Sequence, residues 1–305
     1  MPLPEAPIDR RGRQRESART VLEHSAMTRP PAEHRDDQNA QTTIGWGCTE
    51  LEIALRRTVR GPETVLFIHG LGCTKASFDG AWDSRLANQL TLVAADLPGF
   101  GASSRPREFS YTMDDQARVL LALLDRLDAE RVHLVCHSMG GVVGLLLARS
   151  LDTRLASFVN VEGNLLPQDS GMISRRAAEA GYDKFERRLF PALRKVVRMS
   201  TEPAMEPFGR WLAQADPWAF WRSSVSLVEW SHRGELLEIY RQLRAPRRYV
   251  YGSTSVLDTV LRQLEGMACA AMANCGHFVM QDAPAPFWSV VEETVLGATS
   301  SHNRG

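Results

Sequence analysis

The chain has 305 residues, 44% of them hydrophobic and 24% charged, with a formal net charge of zero. That is room for one large α/β domain with an inserted subdomain, or for two modest domains. A neutral chain without a basic stripe argues against a nucleic-acid partner, and no apolar run is long enough to span a bilayer, so no membrane partner is expected either. The five cysteines show no C-x-x-C or paired spacing, which speaks against a disulfide framework and against a zinc site.

In chain order, residues 1–42 are polar, charged and proline-dotted, and read as a disordered N-terminal tail. They hold no apolar h-region of a secretory signal, and Glu5, Asp9, Glu16 and Glu23 weaken a transit-peptide reading. A cytoplasmic protein with free thiols, starting at Met1 or at Met27, is the expectation. Leu51, Ile53 and Leu55 then alternate as in a half-buried strand, Arg60-Gly61-Pro62 turns the chain, and VLFIH is a short apolar strand. LTLVAAD and RVHLVCH are two more strands; between them Thr112 stands as N-cap to an amphipathic helix. VVGLLLARSL reads as a helix and LASFVNVE as the next strand. Strands alternating with helices imply an α/β fold, a mostly parallel sheet with helices on both faces.

The pattern changes over residues 164–245. Four of the seven tryptophans, Trp211, Trp218, Trp221 and Trp230, lie here amid helical and charged stretches. The block reads as a helical cap inserted into a core made of residues 43–163 and 246–298. Strand character resumes at RRYVYGS, a helix follows through Leu257 to Glu265, and MACAAMA leads to NCGHF. PAPFWSVVEETVLG closes the core as a helix with Pro286 in its first turn, and residues 299–305 read as a flexible C-terminal tail.

LVCHSMGG, residues 134–141, is a strand running into an apolar helix. Such a junction can hold a serine in a sharp strand-turn-helix elbow, provided that the residues two before and two after it are small. Gly140 meets that need on one side and Cys136 on the other, so Ser138 is a candidate nucleophile and Cys136 inert packing. A G-x-x-x-x-G-K-[ST] phosphate cradle is absent from GLGCTKAS.

Four motifs together, F-I-H-G-L-G, D-L-P-G-F-G-A-S, C-H-S-M-G-G and C-G-H-F, stand in this order across roughly residues 51–297. In this the chain resembles the α/β-hydrolase superfamily, specifically its capped serine esterase and lactonase-like members. The resemblance implies an α/β-hydrolase sheet flanked by helices, with the helical cap inserted. It also implies His277 as the general base and the backbone N–H groups of Leu71 and Met139 as the oxyanion hole. His69 and His137 are expected to be structural, His232 to lie on the surface, and Asp96 to scaffold its turn.

The acid departs from the pattern. Most relatives carry an aspartate in a G-x-x-D setting after the strand that RRYVYG matches, but here that stretch reads Gly252-Ser253-Thr254-Ser255. Glu162, at the end of the strand beside the nucleophile's, is the first substitute, because an imidazole N–H would partner its buried carboxylate. Asp258 is the second. Cys73, Phe78 and Trp82 are candidates for the site mouth. Trp211, Trp218, Trp221 and Phe220, with Phe208, would make an apolar roof in the cap.

The expected chemistry is hydrolysis of a carboxylic ester or lactone of a small apolar molecule through an acyl-enzyme, with no metal or organic cofactor. The same residues would serve a thioesterase, an amidase or a carbon–carbon bond hydrolase, and the missing G-x-x-D acid leaves room for a non-catalytic ligand-binding protein. A serine excludes the aspartate nucleophile of epoxide hydrolases and dehalogenases. A monomer or homodimer is expected.

Overall fold

The computed structural model of the chain describes residues 38–169 and 171–302. Eight strands form one sheet in the order β1-β2-β4-β3-β5-β6-β7-β8. β1 (Gln38–Trp46), β2 (Thr49–Thr58) and β4 (Thr91–Ala95) pair antiparallel in succession; β3 (Glu63–Ile68), β5 (Arg131–His137), β6 (Leu155–Val161), β7 (Arg247–Gly252) and β8 (Cys269–Met272) extend from β4 in parallel. β3 and β4 are buried along their whole lengths, as strands covered on both faces must be.

Helix α1 (Met113–Arg126) begins at Thr112, whose side chain accepts a hydrogen bond from Asp115 N, as the N-cap reading expects. It packs on α2 (Met139–Leu151), which follows β5. Between β6 and β7 the chain makes a helical insertion of six segments. These are α3 (Met172–Glu179), α4 (Tyr182–Lys184), α5 (Phe190–Met199), α6 (Met205–Leu212), α7 (Pro217–Arg233) and α8 (Leu236–Gln242), with a π-helical turn joining α4 to α5. α9 (Asp258–Gln263) links β7 to β8, and α10 (Val279–Asp282) and α11 (Pro284–His302) follow β8. α11 packs with the 3-10 segments Lys75–Asp83 and Arg85–Asn88.

The longest insertion helix, α7, is fastened to the core. Asp216 caps it by accepting from Ala219 N, and Gly234 ends it at φ 73°. Asp216 N–H donates to Gly99 O, Ser223 Oγ to Tyr111 O, and Trp230 Nε1 to Asp114 Oδ2, while Met113 N–H donates to Ser226 Oγ. The loop after β4 and the start of α1 thereby hold α7 along its length.

Both tail boundaries need correction. β1 starts at Gln38, so residues 38–42 are sheet and not tail; the rest of the expected N-terminal tail lies outside the described residues. Its polar alternation buries only Ile44, so nothing in the segment advertises an edge strand until a tight hairpin with Gly47 at φ 57° lays it on β2. At the other end α11 continues to His302, so residues 299–302 are helix and not tail, and Thr299 Oγ1 donates to Glu63 Oε2 at the start of β3.

Candidate active site

β5 ends at His137, and Ser138 turns the chain with φ 54° and ψ −121° before α2 begins. A non-glycine residue held there stores about 1–3 kcal/mol, which its surroundings must offset. The turn closes because a Cβ at Gly140 would collide with the Ile68 carbonyl, and one at Gly141 would lie 2.6 Å from Gly163 Cα. Cys136 is fully buried, with Sγ in the space that Gly144 leaves by lacking a Cβ. Burial alone pushes its thiol well above the ordinary range, so it stays protonated and inert.

Glu162 directly follows β6 and also has a positive φ, 48°, which swings its side chain out of the sheet line. The three strand ends are laced together: Ser138 N–H donates to Val161 O at 2.9 Å, and Glu162 N–H to Val250 O at 2.9 Å. Glu162 Oε2 accepts from His277 Nδ1 at 2.7 Å, while Oε1 accepts from Gly252 N–H at 2.6 Å and from Ser255 Oγ–H. The glutamate side chain is 6% exposed and the imidazole 43%. A buried carboxylate is thus satisfied on both oxygens, and its histidine partner opens to solvent.

The loop carrying His277 is held from three sides. Gly252 lets it cross β7, since a Cβ there would collide with the carbonyls of Cys275 and Gly276. Thr254 donates to Cys275 O from both its N–H (3.1 Å) and its Oγ1 (2.7 Å), and Ser253 Oγ accepts from Asn274 N–H. His137 Nε2 donates to the His277 carbonyl at 2.9 Å, with the two rings 4.7 Å apart. Burial chiefly holds His137 well below the ordinary histidine pKa, so it serves as a neutral donor. The Glu162–His277 bond is formed; a bond from Ser138 Oγ to His277 is not, as is common before substrate tightens such a site.

On the other side of the elbow a Cβ at Gly70 would lie 3.1 Å from Ser138 Cβ, which brings the turn carrying Leu71 against the serine. The N–H groups of Leu71 and Met139 have no acceptor among the described residues. Beneath them Asp96 is buried and accepts from Lys75 N, Lys75 Nζ and Ala102 N, while His69 Nε2 accepts from Leu97 N–H. Both hold their turns together, and neither is bonded to Ser138.

The expected roof divides. A Cβ at Gly72, next to Leu71, would meet Leu212, Phe220 and Phe208, and Phe208 and Trp211 lie 5.0 and 6.3 Å from the Phe278 ring beside His277. Trp218 and Trp221 are turned elsewhere. They pack on Tyr182, with the Arg107 guanidinium over Trp218, and Trp221 Nε1 donates to Ala180 O. Phe78 and Trp82 likewise leave the mouth to pack on Phe67 in the core, Cys73 is buried, and His232 is exposed. Asp258 is an exposed first residue of α9, without a bond to His277. Sequence reasoning passed over Ser255, which touches Glu162; the unusual G-S-T-S stretch was the available signal.

The sequence model described as the alpha/beta hydrolase family matches residues 65–290, about three quarters of the chain, and the chain belongs to that family. An uncharacterised protein of Mycobacterium tuberculosis is 27% identical over 268 residues, covering 78% of this chain and 76% of that one. Among solved structures, an esterase from Thermogutta terrifontis has a TM-score of 0.66 at 19% identity, over 86% of this chain and 99% of its own. A carboxylesterase of Nitrososphaera gargenis has a TM-score of 0.71 at 15% identity, over 85% of this chain and 100% of its own. At these identities the structural likeness concerns the fold. No described helix is long and apolar enough to cross a membrane.

Proposed function

We propose that the protein is a serine hydrolase that cleaves a carboxylic ester or lactone of an apolar small molecule. The observation that carries this reading is the 2.7 Å bond from His277 Nδ1–H to the buried Glu162 carboxylate, beside a strained Ser138 elbow. With Nδ1 protonated, the free Nε2 is a base suited to the serine proton. Ser138 Oγ attacks the substrate carbonyl as its proton passes to His277, and Glu162 stabilises the imidazolium. The N–H groups of Leu71 and Met139 take the oxyanion. His277 then gives its proton to the leaving alcohol as the carbonyl re-forms. Water attacks the acyl-enzyme with His277 again as base, and the bond to Ser138 Oγ breaks as the serine takes the proton back and the acid leaves. In this reading the helical insertion is a cap, and Phe208, Leu212, Phe220, Trp211 and Phe278 favour an apolar acyl or ring portion. The ligand-binding alternative rested on a missing acid, and a carboxylate does stand on His277.

The test is a time course of p-nitrophenyl ester hydrolysis over short, medium and long acyl chains, with Ser138→Ala as control. Steady turnover that vanishes in Ser138→Ala is the expected result. Turnover indifferent to Ser138 would sink the proposal. A single burst equal to the enzyme present would mean that the serine acylates but deacylation fails, and bound but uncleaved esters would favour the binding protein.

A further inference from the structure

We propose that Ser255 is a positioning residue for the acid: its hydroxyl, with Gly252 N–H, fixes Glu162 Oε1 so that Oε2 faces His277. This rests on the triad reading above and adds a fourth side chain to it. Ser255 is the last residue of Gly252-Ser253-Thr254-Ser255, where the G-x-x-D pattern would place the carboxylate itself. In this chain the same loop gives the acid a donor in place of a carboxylate.

Glutamate is one methylene longer than aspartate, and the torsion that turns its carboxylate is broad and two-fold. Left free, the group would exchange its oxygens and drift from the imidazole. Two donors on Oε1 prevent that: Gly252 N–H at 2.6 Å from the end of β7, and Ser255 Oγ. The serine hydroxyl also lies 3.2 Å from Gly252 O, but its single proton goes to the closer, charged acceptor. The rest of the stretch is committed to the histidine loop, through Gly252's missing Cβ, Ser253 on Asn274 and Thr254 on Cys275. Ser255 is therefore the one side chain of the four that serves the acid.

The experiment is a double-mutant cycle of Ser255→Ala and Glu162→Gln on the best p-nitrophenyl ester, with kcat and KM measured separately. Ser255→Ala is expected to lower kcat about tenfold, the coupling of neighbouring groups in one network, with KM within twofold. In the Glu162→Gln background it is expected to cost nothing more, because a group acting through the carboxylate has no further effect once the carboxylate is gone. An unchanged kcat in Ser255→Ala, or the same loss in both backgrounds, would overturn the proposal. If Ser255→Ala does not fold, Ser255→Cys, which weakens the donor without emptying the site, takes its place in the cycle. Turnover indifferent to Ser138 or Glu162 would instead overturn the triad reading, whereas dependence on both without coupling to Ser255 removes only the present inference.

Discussion

Two sets of serine, histidine and glutamate stand at opposite ends of the same sheet. At the C-terminal ends of the strands are Ser138, His277 and Glu162. At the N-terminal ends, Ser157 Oγ lies 2.8 Å from His133 Nδ1, and His133 Nε2 lies 2.7 Å from Glu63 Oε2. Thr299 and Arg131 complete the partners of Glu63. The second set is bonded continuously from serine through histidine to glutamate. Ser157 and His133 are fully buried and face each other across adjacent strands, in extended backbone whose N–H groups belong to the ladder. Ser138 differs in a strained turn that breaks the ladder, two unclaimed N–H groups and a half-exposed histidine. Residue types and hydrogen bonds alone do not tell the two sets apart; the backbone at the end of a strand does.

Substitutions that treat both sets alike sharpen this contrast. Ser138→Ala is expected to abolish ester turnover, a loss of at least about 10³-fold in kcat, whereas Ser157→Ala should leave kcat unchanged in the same assay. Glu162→Gln should cost about 10³–10⁴-fold with the thermal melt preserved. Its counterpart Glu63→Gln should leave kcat intact and lower stability by about 2–3 kcal/mol in a denaturant titration, the cost of losing hydrogen bonds to a charged group. A Glu63 variant that lost activity while keeping its stability would break the comparison.

Acid should also separate the two ends. Glu63 is held down from 4.5 to about 2, chiefly by its hydrogen bond from His133. His133 is itself lowered, chiefly by burial. Both groups take up protons more readily when unfolded, so stability rises with pH across their windows. The His133 contribution is present above 6.5 and is lost as pH falls below that value; the Glu63 contribution is present above 4.5 and is lost as pH falls towards 2. Denaturant midpoints measured from pH 8 to pH 3 should decline in that order, and Glu63→Gln should flatten the part below 4.5. The smallest effect expected is that of Asp258→Asn, within about twofold of wild-type kcat, since an exposed group without partners usually contributes little.

Strand positions in the parallel core were legible because each is a short apolar run bounded by turns: RVHLVCH is β5 residue for residue, and LASFVNVE gives β6 with Glu162 just beyond it. β1 was not legible, since a polar edge strand with one buried side chain is specified by its partner and not by its own pattern. The aromatic residues expected to form a roof separate in the structure. Phe220 and Trp211 meet the site turns, but Trp218 and Trp221 went to Tyr182 and Arg107, because an aromatic residue in a helix says that something apolar is near and not which neighbour it is.

By itself the sequence determined the alternation of strands and helices, the elbow at Ser138 and the loop histidine at His277, since each is written in local residue size and spacing. It narrowed the acid to Glu162 and Asp258. Only the tertiary structure placed one of them on His277, by bringing the ends of β6 and β7 and the loop after β8 within hydrogen-bond reach. The same packing set Ser255 on Glu162 and buried the second serine, histidine and glutamate. Those outcomes depend on residues about 90 to 240 apart in the chain, and no local pattern encodes a distance of that kind.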